Sequence, residues 1–314
     1  MNNFYQKSYK ISYICRKEWC EIQRKEPKML LDSVLSKICS GLILLFFVTA
    51  CKDSNGIQPS DENTIPDIPG WKLIWHDEFN GTHIDGSKWE HEVNARGGGN
   101  NELQYYTDRS QNSYVEDGHL VIQALKENYT GPEGSREYTS ARIRTRYQGD
   151  WKYGRFDIKA RLPYGQGIWP AIWMMPSDGV YGGWAASGEI DIMELLGQEP
   201  NKVYGTLHYG GEWPDNVHSG DSYTLPSGTF SDTFHVFTLE WDSTQIRWYV
   251  DGQFYQMQNQ WYTTNAEFPA PFDQRFYIIL NVAVGGNWPG DPDYTTIFPQ
   301  SMVIDYVRVY QKKE

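Results

Sequence analysis

Residues 154–163 read GRFDIKARLP, and this stretch decides the fold class. Phe156, Ile158, Ala160 and Leu162 alternate with Asp157, Lys159 and Arg161. A period of two with one apolar side is the pattern of a half-buried antiparallel strand. Comparable runs lie at 119–125 (HLVIQAL), 140–147 (SARIRTRY), 203–209 (VYGTLHY), 235–241 (HVFTLEW), 245–250 (QIRWYV), 276–284 (FYIILNVAV) and 302–310 (MVIDYVRVY). Asp251-Gly252, directly after QIRWYV, is a hairpin turn signal. From residue 66 onward there is no long stretch of period 3.6 and no repeat of fixed length. Many short strands with Gly/Pro turns predict a sandwich, jelly roll or barrel. The missing repeat argues against a propeller or solenoid.

Composition narrows the function. Of 314 residues, 39% are hydrophobic and 22% charged, which excludes a disordered chain and a multi-span membrane protein. The chain holds 13 Trp, 22 Tyr and 13 Phe, with 29 Gly. That mixture suits strands, turns and a surface that stacks flat ligands. The formal net charge of −12 argues against a nucleic-acid partner, because phosphates need a basic face.

The N-terminal part reads differently. Residues 1–50 have eight Lys/Arg against four Asp/Glu, a net +4, which leaves −16 on the remainder. Lys37 precedes the apolar run GLILLFFVTA (41–50), which is too short for a typical spanning helix. Val48-Thr49-Ala50-Cys51 resembles a bacterial lipobox, in which cleavage precedes the cysteine and the cysteine is lipidated. Met29 is the expected true start, giving a leader of 22 residues. Cys15, Cys20 and Cys39 fall inside the leader, so the mature part is expected to have no disulfide and no thiolate metal site. The expected organisation is a leader over 1–50, a lipidated Cys51 with a flexible tether over 51–65, and one domain over 66–314. The expected location is the outer membrane, at the cell surface, with contact to the membrane only through the lipid.

Chemistry concentrates in Gly188-Glu189-Ile190-Asp191-Ile192-Met193-Glu194. Residues two apart share a strand face, so Glu189 and Asp191 point together, with Ile190 and Ile192 opposite. Glu194 lies an odd number of steps from Glu189 and would enter the apolar layer, at a cost of several kcal/mol. A one-residue bulge near Met193 restores the parity. The two glutamates then stand roughly 13 Å apart along the backbone, at about 3.3 Å per residue. Side chains leaning together would close this to about 5–6 Å, the separation that retaining glycoside hydrolysis needs. Asp191 between them would tune both titrations. A calcium cluster is the alternative for three acids so placed.

The segment resembles the E-x-D-x-x-E signature of glycoside hydrolase family 16, in the bulged form of its laminarinase-like members. The resemblance runs from Trp71 to Gln311. It includes WHDEFNG (75–81), NNELQYYT (100–107), TSARI (139–143), GIWPAIWMMP (167–176), SGEIDIMELLG (187–197), GTLHYGG (205–211), WYVDG (248–252), NVAVGGNWPG (281–290) and VIDYVRVYQ (303–311). It implies an all-β jelly-roll β-sandwich of two curved antiparallel sheets with a glycan cleft on the concave face. It also implies retaining endo-hydrolysis of a β-glucan, with Glu189 as nucleophile, Glu194 as acid/base and Asp191 as helper.

Tryptophan offers a rigid apolar face to a sugar ring. Trp169, Trp173, Trp184 and Trp288 lie in segments that the resemblance places along the cleft, with Asn100, Arg142 and His208 as polar candidates. Trp75, Trp89, Trp241 and Trp248 are expected in the core. Loops 94–106, 178–186 and 253–272 are expected to set cleavage pattern and product length. In the last strand, Val303, Asp305, Val307 and Val309 are expected on one face. A carboxylate among valines needs a partner, either an arginine or backbone N–H groups. The resemblance implies a calcium ion instead, held by Asp305 with backbone carbonyls at Glu78 and Gly118. No organic cofactor is expected, and the protein is expected to be a monomer.

The resemblance leaves three activities open: an endo-β-1,3-glucanase, a same-fold hydrolase of mixed-linkage glucan or algal galactan, and a non-catalytic glucan-binding protein. The three acids disfavour the last. The acidic charge disfavours a sulfated polymer.

Overall fold

The computed structural model describes residues 65–314. The leader, Met29, Cys51 and nearly all of the tether lie outside the described residues. Among the described residues, no helix is long and apolar enough to cross a membrane.

The alternating runs pair into two sheets. One is seven-stranded, in the order Asn216–Thr224, Lys202–Gly210, Glu189–Leu195, Ile168–Pro176, Phe276–Val284, Arg142–Arg144 and Glu90–His91. The other is ten-stranded. Its main path is Gln253–Gln258, Ile246–Val250, His235–Trp241, Gly154–Arg161, Gln300–Lys312, His119–Gly131, Gly134–Ser140 and Gln104–Tyr106. Trp71–Asp77 pairs with the Gln300–Lys312 strand, and Ser113–Glu116 with the His119–Gly131 strand. The pairing is antiparallel except between Gln104–Tyr106 and Gly134–Ser140. This is an all-β jelly-roll sandwich.

The period-two positions meet between the sheets. Phe156, Ile158, Ala160 and Leu162 are buried against Ile172, Met174, Ile190, Ile278, Leu280 and Val282. Each aliphatic or aromatic side chain so buried contributes about 1.5–3 kcal/mol. Asp157, on the opposite side, is also buried, where it accepts from Thr238 Oγ1 at 2.7 Å and from Arg155 Nε at 3.0 Å. Every residue of Phe276–Val284 is buried, since its outer face lies beneath the cleft. Trp89, Trp241 and Trp248 are in the core as expected. Trp75 differs. It is only half-buried and lines a groove at one end of the sandwich.

The last strand corrects one expectation. Its register shifts between Ile304 and Tyr306. Met302 and Ile304 face the core before the shift, and Val307 and Val309 after it. Asp305 therefore shares no face with Val307 and Val309. It is half-buried on the outer side, with its carboxylate 2.6 Å from Lys159 Nζ.

Candidate active site

The strand Glu189–Leu195 lies in the middle of the seven-stranded sheet. On one side Glu189 faces His208 and Asp191 faces Thr206, but Glu194 faces Tyr204. On the other, Asp191 faces Trp173 and Met193 faces Ile172. One extra residue is thus accommodated at Ile192-Met193, the bulge that the polarity conflict demanded. Ile192 and Met193 are both buried, and Glu189 and Glu194 both line the cleft. A bulge frees backbone groups from the ladder. Here the Asp191 carbonyl accepts the indole N–H of Trp248, from the opposite sheet, at 2.8 Å.

Each glutamate is held by a tryptophan of the cleft. Trp184 Nε1 donates to Glu189 Oε2 at 2.6 Å, and Trp169 Nε1 donates to Glu194 Oε1 at 3.0 Å. Asp191 is buried between them, with Oδ2 lying 3.4 Å from His208 Nε2. Burial, and then the charge of Asp191, raise Glu189 above the ordinary carboxylate range, while His208 and the Trp184 N–H pull it back. Burial raises Asp191 as well. Glu194 is pushed well up, by burial first and then by Asp191 and Glu189. Three acids in one dry cluster titrate as a unit, because each charge present holds the next proton on.

The acids open into a cavity of about 1030 Å³. That is at the top of the range for small-molecule sites and suits several linked sugar rings. A model of glycosyl hydrolases family 16 matches residues 100–308. The chain belongs to this family. It is 48% identical over 268 residues to glucan endo-1,3-beta-glucosidase A1 of Niallia circulans, covering 80% of this chain and 39% of that protein. It is 46% identical over 255 residues to a beta-glucanase of Rhodothermus marinus, covering 77% of this chain and 86% of that protein. The catalytic domain of an endo-1,3-beta-glucanase (laminarinase) from Thermotoga petrophila superposes with a TM-score of 0.70 at 44% identity. That match covers 78% of this chain and 99% of the Thermotoga domain.

All ten residues expected in the cleft of this family 16 hydrolase line it: Glu189, Asp191, Glu194, Asn100, Arg142, Trp169, Trp173, Trp184, His208 and Trp288. Their surroundings differ. Trp184 and Trp288 are partly exposed, at 37% and 41%. Trp288 stands edge-on to Trp169, with ring centres 5.5 Å apart, and packs against Tyr204. Arg142 is buried, and its guanidinium lies 3.5 Å from Glu92, 3.7 Å from Glu102 and over the Tyr106 and Trp173 rings. Its charge is thus already flanked by two carboxylates at the cleft floor. The backbone carbonyl of Asn100 accepts from Asn287 N at 2.8 Å, tying two Gly-rich loops together. Gly98 suits this place: its φ is +58°, and a Cβ there would sit 2.0 Å from Glu102 Oε1 and displace that carboxylate.

Further residues line the cleft unannounced: Glu102, Tyr204, Thr206, Trp213, His218 and Asn281. Tyr204 and Thr206 share strand parity with His208, so they were readable. Trp213 and His218 belong to a polar hairpin without an apolar face to mark it. Segment 253–272, which begins with the strand Gln253–Gln258, contributes no residue to the cleft wall. Its Asn265 instead braces loop 178–186, donating to the Tyr181 carbonyl at 2.6 Å.

Glu189, Asp191 and His208 bring ligand atoms within 4.8 Å of one another. Calcium takes oxygen ligands, so an imidazole in the set argues against a calcium cluster here. The indole N–H groups aimed at Glu189 and Glu194 argue the same way.

The expected convex-side metal residues do adjoin. Asp77 pairs with Val307 and Leu120 with Ile304, which brings Glu78 and Gly118 to flank Asp305. The Glu78 carboxylate is held by Arg308, at 3.0 and 2.7 Å, which leaves its backbone carbonyl as the donor. At Gly118, where φ is +75°, an added Cβ would meet only Asn80 Oδ1, at 3.8 Å. Asp305 and the two carbonyls are oxygen donors of the kind a hard cation takes, with Lys159 Nζ at 2.6 Å and His119 Nε2 at 4.0 Å already beside the carboxylate.

The Trp248 bond to the bulge is testable. Trp248→Phe keeps the apolar bulk and removes the donor, leaving a buried carbonyl unpaired at a cost of about 1–3 kcal/mol. Stability should fall by that amount, and kcat about tenfold at nearly constant KM. A loss of stability with unchanged kcat would make the indole core filling only.

Proposed function

We propose that this chain is a retaining endo-hydrolase of β-1,3-glucan. The observation that carries the reading is the bulged strand presenting Glu189, Asp191 and Glu194 at the floor of a tryptophan-walled cleft. The glucanase relatives support the substrate class. In this proposal Glu189 attacks the anomeric carbon. Glu194 gives its proton to the departing glycosidic oxygen, leaving a glycosyl ester on Glu189. Glu194, now a base, takes a proton from water, and the water oxygen displaces Glu189 with overall retention. The tryptophan N–H bonds aim the two carboxyls. Burial, and then the charges of Asp191 and Glu189, raise Glu194 well above the ordinary carboxylate range, the direction that suits a group giving a proton to the leaving oxygen.

Product analysis on two polymers tests this. The protein is incubated with unbranched β-1,3-glucan and with cereal β-1,3-1,4-glucan. Short oligosaccharides from the first are expected, and the ratio of rates grades linkage strictness. No release from either polymer by folded protein would move the substrate to another β-glycan.

The proposal includes a calcium ion held by Asp305 and the carbonyls of Glu78 and Gly118, tying chain ends together. Chelation should then lower the melting temperature by several degrees and leave cleft chemistry intact below it. Superimposable melting curves would assign the corner to the Lys159–Asp305 ion pair alone. It also includes surface display through lipidated Cys51, since an endo-enzyme must meet polymers too large to enter the cell. Loss of membrane association in Cys51→Ala is the corresponding check.

A further inference from the structure

A second groove, of about 500 Å³, lies at one end of the sandwich, apart from the acids. Trp75 enters it from the ten-stranded sheet, and Ser177 and Arg275 from the ends of two strands of the other. Tyr147, Asp150, Trp151 and Asp178 complete the wall.

Three features mark it as built. Tyr147 is 74% exposed and held at φ +64°, a conformation costly for a residue with a side chain. Its ring rests on Arg146, whose guanidinium carbon is 4.8 Å from the ring centre. A bulky ring is thus held in solvent on the groove wall. Second, Ser177 N donates to the Arg275 carbonyl at 2.8 Å, which fixes these two wall residues against each other. Third, Arg275 spans the groove, reaching Asp150 at 3.2 Å and Asp178 at 2.9 Å. Donors and acceptors so interleaved beside aromatic faces match a neutral polyol, with apolar ring faces and a rim of hydroxyls.

We infer that this groove is a second carbohydrate site that holds a β-glucan chain outside the cleft, an inference that rests on the substrate class proposed above. Met175 on the cleft wall and Ser177 on the groove wall are two residues apart, roughly 7 Å of strand. A polymer held at the groove is therefore delivered beside the cleft. Its capture raises the local concentration of cleavable chain and does not alter the chemistry.

Tyr147→Gly tests this, because it removes the ring and relaxes the backbone, so folding is not at risk. Adsorption to insoluble β-1,3-glucan is measured with Tyr147→Gly and Tyr147→Phe in the Glu189→Ala background, which leaves the polymer intact. Adsorption should weaken roughly five- to tenfold with glycine, the value of one lost stacking contact, and persist with phenylalanine. In the wild-type background, kcat/KM on a short β-1,3-oligosaccharide that fills only the cleft should not change. Equal adsorption by all variants overturns the site, as does a parallel loss of oligosaccharide cleavage. Wild-type protein that neither binds nor cleaves β-1,3-glucan overturns the substrate reading and the site with it. Wild-type protein that cleaves, with adsorption indifferent to Tyr147, overturns the site alone.

Discussion

Replacing Glu189 with alanine should lower turnover of β-1,3-glucan by about 10⁴- to 10⁶-fold, the usual loss when a covalent nucleophile is removed. Binding should persist, because Trp169, Trp173 and Trp288 remain in the cleft wall. The space left by the carboxylate admits a small anion. Azide should then attack an activated β-glucosyl substrate from the vacated face and give the α-glycosyl azide. Near-normal rate in the alanine variant would remove Glu189 from the nucleophile role. No azide adduct, with binding intact, would remove the covalent intermediate.

Replacing Glu194 with alanine should give the opposite anomer. Unactivated glucan needs protonation of its leaving oxygen, and losing the acid should cost about 10²- to 10⁴-fold. An aryl glycoside with a good leaving group needs no proton, so the glycosyl ester should still form and accumulate. Azide now meets that ester from the Glu194 side and yields the β-azide. The two variants thus report on roles and not merely on importance. Exchanged anomers would exchange the assignments of Glu189 and Glu194.

Glu194→Gln adds a thermodynamic arm. A carboxyl raised in the folded state contributes fully below its unfolded value, near 4.3, and that contribution is lost as pH rises through the folded value. Glu194 is raised by burial, Asp191 and Glu189. Wild-type stability should therefore decline with rising pH across this window, and the glutamine variant should decline less. Melting temperatures that run parallel from pH 4 to 9 would contradict the raised state of Glu194.

Much of this was legible because a strand's two faces report burial directly. Phe156, Ile158 and Ala160 could alternate with charges only at a layer boundary, and the bulge followed from the misfit of Glu194 among Ile190 and Ile192. The same logic misplaced Asp305. Reading Val303, Asp305, Val307 and Val309 as one face ignored Met302 and Ile304, whose even numbering already showed a change of parity before Val307. A shift of register was written there, as in the Glu189–Leu195 strand. Other features were not legible. Trp213 and His218 sit on a hairpin polar on both faces, so nothing in the pattern separates cleft from solvent. Arg142 was placed in the cleft correctly, but residue type does not reveal that Glu92 and Glu102 flank it there. Trp248 was correctly placed in the core, but its donor to Asp191 depends on a distance between layers that no local pattern carries.

That donor has a mechanical meaning. A directional bond from Trp248 across to the Asp191 carbonyl acts as a rivet beneath the acids. Gln256 of the same sheet donates to the Gly205 carbonyl of the neighbouring strand at 3.1 Å, a second rivet close by. Any relative movement of the two layers under the glutamates has to stretch these bonds as well as disturb close packing, so the floor that carries the two carboxyls is pinned in two directions at once.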